Sequence, residues 1–202
     1  MAKLEIVVPK VHCIKRTDLF FKDEVFLVVI VTAGNRQDLT NDVSAPKIVF
    51  TGITPLLKLK KGEMKVFDLG EEWKADLGDA EAYSVLFGLY EHDGGDLYDA
   101  MQTEITQITE PEGFNFNDLI KEIWEKIKQN LEDGVSMGDF LSALVITARG
   151  VFKHIMKDDL IGSDIFSAHI SDDDATFIRD FRDMRGGGSK YDMQFQVKLT
   201  EL

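Results

Sequence analysis

The sequence predicts a mainly β protein, a sandwich or barrel, with a helical segment inserted near its middle. Three observations carry that expectation. Turn-separated apolar runs fill roughly the first ninety residues. The apolar period then lengthens to that of a helix between Leu97 and Met156. Strict alternation returns at the end of the chain, over Tyr191–Leu199. The last strands need the early ones to complete a sheet. The expected organisation is therefore one β domain, residues 1–94 plus 158–202, with a helical insertion at 95–157.

The first run extends from Leu4 through Val11 to Ile14. Glu24–Thr32 is β-branched and almost continuously apolar, as in a central strand covered on both faces. Shorter strands are expected at Lys47–Phe50 and Met64–Leu69, and a strong one at Ala82–Tyr90. Turn residues separate these runs at Gly34-Asn35, Asn41-Asp42, Lys61-Gly62 and Leu77-Gly78-Asp79.

Leu97, Met101, Ile105 and Ile108 then share one helical face. A second helix carries Leu119, Ile120, Ile123, Trp124, Ile127 and Leu131, with Asn117 as N-cap and Gly134 as stop. The third runs from Met137 to about Met156, and Phe140–Ala148 is apolar nearly all round, the pattern of a helix buried between others. A strand at Ile165–Ile170 follows. Asp172-Asp173-Asp174 is read as the cap of a short helix carrying Phe177, Ile178 and Phe181, and Gly186–Ser189 as a flexible connection.

Bulk chemistry narrows the function classes. The chain has 202 residues, with 36 acidic and 23 basic residues and a formal net charge of −13. Nucleic-acid binding needs clustered Lys and Arg, and unaided attraction to an anionic membrane needs the same. Cations and basic partner surfaces fit this balance better. The single cysteine, Cys13, excludes an intrachain disulfide and a cysteine zinc cluster, and its alternating context reads as buried. No stretch reaches the about 18 apolar residues of a membrane span, and Met1–Glu5 opens no signal-type apolar core. The expected location is cytoplasmic, at most peripheral to a membrane.

Three acidic turns bear on function. Asp18 and Asp23 bracket an early turn, Tyr90-Glu91-His92-Asp93 ends a strand, and Asp158-Asp159-Leu160-Ile161-Gly162 opens another. Calcium takes six to eight oxygens, mostly carboxylate and carbonyl. Carboxylates forced together repel without a cation. Glu91 and Asp93 leave one face of an extended segment, as paired ligands would.

These residues resemble the calcium- and lipid-binding C-two domain of synaptotagmin and conventional protein kinase C. Glu91-His92-Asp93 is similar to that family's acid-x-acid loop, and Asp159-Leu160-Ile161-Gly162 to the following Asp-apolar-apolar-Gly. Asp18 and Asp23, before Glu24-Val25-Phe26, are similar to its earlier loop. The resemblance implies an antiparallel eight-stranded β-sandwich and a calcium site at Asp18, Asp23, Glu91, Asp93 and Asp159. It also implies that bound calcium lets nearby loops dock onto a phospholipid membrane surface or a protein partner, with Leu19-Phe20-Phe21 as an apolar loop tip. The chain departs from the family in three ways: the insert falls inside the metal loop, Glu91 stands where Asp is usual, and Glu24 replaces a proline. No basic strand matches the family's phosphoinositide patch.

An enzyme is not expected. Gly134-Val135-Ser136-Met137-Gly138 matches G-x-S-x-G, but a helix rather than a strand precedes it. Ser136 and Asp139 read instead as a capping pair for the third helix. The histidines His12, His92, His154 and His169 lack zinc spacing, and phosphate-cradling glycine motifs are absent. The alternative to a calcium module is a metal-independent assembly protein that uses the helical insert as its interface.

Overall fold

Two antiparallel β-sheets face each other across one apolar layer. The structure, a computed structural model, describes residues 2–15, 23–35, 46–70, 72–92, 97–109, 136–155, 160–170, 175–186 and 188–201. The strands are β1 (Ala2–Lys15), β2 (Asp23–Gly34), β3 (Lys47–Ile53), β4 (Leu57–Leu59), β5 (Met64–Phe67), β6 (Lys74–Gly78) and β7 (Ala82–Glu91). Helices α1 (Leu97–Thr109) and α2 (Met137–Ile155) follow, then β8 (Leu160–His169), β9 (Ala175–Gly186) and β10 (Ser189–Glu201).

The first sheet has the order β5-β1-β10-β9, and the second β3-β2-β7-β8. In the first, β6 also pairs with β1; in the second, β4 also pairs with β2. The described residues thus form ten strands in two five-stranded sheets, where eight strands were expected. The difference lies at the edges. Strands β3 and β4 run end to end along β2, with Val28 opposite Ile53 and Val25 opposite Leu57. Pro55, which has no N–H to give a ladder, sits between them. There the Thr54 side chain substitutes for backbone, its Oγ1 accepting from Leu27 N at 2.9 Å. Strands β5 and β6 likewise share one edge of β1.

The inner layer follows from alternation. Leu4, Ile6 and Val8 face the core, and so do Val11 and Cys13. The switch from even to odd positions occurs at a register irregularity between Val7 and Lys10, around Pro9. Val25, Leu27, Val29 and Val31 meet them from β2, and Tyr83, Val85, Phe87 and Leu89 from β7. Phe87 stacks on Phe195 at 4.5 Å and meets Phe181 edge-on at 4.7 Å. Each such side chain contributes about 1.5–3 kcal/mol by leaving water.

The second sheet is buried on its other face too. Phe26, Val28, Ile30, Leu86 and Tyr90 pack there against Met101 and Ile105 of α1 and Ala148 of α2. Double burial explains the unbroken apolar run of β2. Helix α2 differs from its expected all-round burial. Phe140, Ala143, Leu144 and Ala148 are buried, while Ile146 is 47% exposed. The helix lies on a sheet, and among its described residues Ser142, Ile146 and Arg149 are exposed on the other side.

Two further expectations are corrected. Phe177, Ile178 and Phe181 belong to strand β9, not to a helix, because residues four apart share a face in both geometries. Phe177 and Phe181 lie opposite Val197 and Met193 of β10. Gly186 and Ser189, expected in a flexible connection, are paired strand residues opposite each other, and Gly188 has φ 96°. The second expected helix and Asp172–Asp174 lie outside the described residues. Among the described residues no helix is long and apolar enough to cross a membrane.

Candidate functional site

At one end of the sandwich the apolar layer gives way to a polar cluster. Asp23 opens β2 and Glu91 closes β7, and Val25 lies directly opposite Glu91. Alternation turns both carboxylates into the space between the sheets, in line with Val25 and Leu89. Ser189 and Tyr191 enter from β10 on the opposite sheet, in line with Met193 and Phe195. Asp23 is 5% exposed, and Glu91 and Ser189 are each 2% exposed.

Hydrogen bonds join the four. Tyr191 donates its phenol to Asp23 Oδ2 at 2.7 Å. The Ser189 hydroxyl lies 3.2 Å from Asp23 Oδ2 and 2.9 Å from Glu91 Oε1. A serine hydroxyl has one proton, so it donates to one carboxylate at a time. Burial first, then the bond to Asp23 and the nearby Cys13, Asp23 and Glu91, pushes the Tyr191 phenol far above its ordinary range. Tyr191 therefore remains a donor. Two buried carboxylates at one hydroxyl are an arrangement that a proton or a cation stabilises.

Of the five acids expected to converge, Asp23 and Glu91 are brought together. Asp18, Asp93 and Asp159 lie outside the described residues. Strand ends next to them meet at this same end. Tyr90 lies opposite Leu160, Lys15 lies opposite Lys190, and a Cβ on Gly186 would stand 2.4 Å from Leu160 O. Among the described residues no group of three or more His, Cys, Asp or Glu side chains could hold a metal. The pair supplies only part of a calcium shell.

Ser189 and Tyr191 were not expected. Their signal was available, since both continue the inward alternation of Met193, Phe195, Val197 and Leu199. Polar groups on a buried face need partners. The other motifs fall elsewhere. Ser136 stands just before α2, its carbonyl accepting from Phe140 N at 3.0 Å, the place of a cap. His92 turns toward α1, its ring 6.2 Å from that of Tyr98. Cys13 is buried, as expected, and lies opposite Tyr191.

The chain matches no family model, no curated protein and no solved structure.

Proposed function

We propose that this protein is a non-enzymatic binding module of the C-two type, and that it takes up a divalent cation, calcium, at the Asp23–Glu91 end. One observation carries the reading: two acids far apart in sequence come from different strands to the same buried hydroxyl. Asp18, Asp93 and Asp159 would complete the ligand set. A hard cation requires six to eight oxygens, and loops joined to the same strand ends are the natural source of the remainder. Uptake would replace the Ser189 link between the carboxylates with a stronger charge–charge one. It would lower the local negative potential and favour docking of the adjoining loops onto phospholipid or a protein.

Thermal melting tests this. Calcium at one hundred times its dissociation constant should stabilise the protein by about 2.7 kcal/mol, reversed by a chelator. Asp93→Asn and Asp23→Asn should each remove the response. An unchanged melting temperature in calcium would reject the reading.

A metal-independent assembly protein is the second reading, and one feature favours it. Ser189 and Tyr191 already give the carboxylates donors, so the acids can serve simply as a polar closure of the core. The helical layer would then form the interface, with Ile146 on its open side. Indifference to calcium combined with self-association that is lost in Ile146→Asp would support this alternative.

A further inference from the structure

Beside the buried acids the first sheet carries a row of cations. Lys15 of β1 lies directly opposite Lys190 of β10, and Lys190 lies directly opposite Arg185 of β9. Like charges facing each other across strands are destabilising. The row therefore opposes stability, and it occurs in a chain with a net charge of −13. All three residues line one cleft of about 400 Å³, together with Gly186, Gly188 and Ser189.

Asp183 shows what the row attracts. Its carboxylate pairs with Lys190 and lies 3.7 Å from Arg185. Among the described residues Asp183 pairs with two of the three cations, Lys190 and Arg185. The Arg185 side chain is 70% exposed and open to a second anion. Guanidinium and ammonium groups together suit a dianionic oxyanion: the planar fork takes two oxygens and the lysines act as point charges. The volume falls in the range of small-molecule sites, about 300–1,000 Å³. It is roomier than a bare phosphate needs.

We infer that the Lys15–Lys190–Arg185 cleft is an anion site for a phosphate monoester. This goes beyond the cation reading and does not rest on it, since the three cations act without a metal. The phosphate can belong to a soluble small molecule or to a lipid headgroup, and two probes separate these sources. One is glycerol 3-phosphate, followed by calorimetry. The other is phosphatidylcholine vesicles with and without phosphatidic acid, followed by co-sedimentation. Both are run with the full chain in a chelator, so that failure of the calcium reading leaves the result intact.

Saturable binding is expected, weakening as salt rises. Lys15→Ala and Arg185→Ala should each bind about tenfold more weakly, the loss of one charge-assisted contact. Without phosphate, Lys15→Ala should melt no lower than the parent protein, because a like-charge contact has been removed; that separates lost binding from lost folding. Binding of glycerol 3-phosphate assigns a soluble source. Binding confined to phosphatidic acid vesicles assigns a headgroup, and either result supports the site. No saturable binding to both probes, or parental affinity in both variants, would overturn it.

Discussion

The two sheets share a core and differ in what their outer faces do. The second sheet is covered: Phe26, Val28, Ile30, Leu86 and Tyr90 lie under α1 and α2. The first sheet turns Lys3, Glu5, Lys10, Gln194, Gln196 and Lys198 outward, while its inner face carries Leu4, Ile6 and Phe195. Strands buried on both faces are free to be uniformly apolar, so they hold the fold. Strands buried on one face have every second position left for chemistry. Both candidate sites depend on β10. Its inner face supplies Ser189 and Tyr191 to the acids, and its outer face supplies Lys190 to the cation row.

The largest expected effect breaks the covered face. Phe26 is fully buried and stacked 5.2 Å from Tyr90. Phe26→Ala should destabilise by about 3–5 kcal/mol in chemical denaturation. Gln196→Ala, on the open face of the first sheet, should change stability by less than about 0.5 kcal/mol. Equal effects would show that the first sheet also has an unseen cover.

A smaller effect sharpens the contrast between two buried tyrosines. Tyr191 donates to Asp23, so Tyr191→Phe should cost about 1–3 kcal/mol by removing a hydrogen bond to a buried carboxylate. The Tyr83 hydroxyl is buried without a hydrogen-bond partner among the described residues, and burial pushes its phenol well above the ordinary range. Tyr83→Phe should be neutral or stabilising by the same assay, since no bond is lost. A reversed order would mean that the cluster at Asp23 is not held as described.

The smallest effect concerns acid. Lys190, which hydrogen-bonds Asp183, holds that carboxyl below its usual range, and Arg185 adds to the effect. A group whose folded pKa is depressed stabilises the fold above its unfolded pKa and loses that contribution as pH falls through the folded one. Asp183→Asn should therefore flatten the acid end of the stability–pH curve slightly. Asn tolerates the left-handed backbone that Asp183 adopts at φ 59°. An unchanged curve would remove Asp183 from the cation row.

Much of this fold is written locally, and the exceptions are instructive. The unbroken apolar run of β2 announces a strand covered twice. The inner faces of β1 and β10 read directly from alternation. Asp23 and Glu91 stand out because one opens and the other closes an apolar strand next to a turn. Strand β9 is less legible: Phe177 and Phe181 fit either period, and only pairing with β10 decides between them. Strands β4 and β6 are short and mixed, Leu57–Leu59 and Lys74–Gly78, so they carry little pattern of their own. The cation row is not visible along the chain at all. Lys15, Arg185 and Lys190 become neighbours only through register across three strands, and the overall charge of −13 points away from them.

Terbium, a calcium mimic that emits when a nearby aromatic ring is excited, interrogates the acidic end most directly, because Tyr191 stands within hydrogen-bonding reach of Asp23. Saturable emission that calcium displaces, and that Asp23→Asn and Glu91→Gln both abolish while remaining folded, is the predicted result. Emission that never rises above that of free terbium, or that persists undiminished in both variants, would contradict a cation held between these strands.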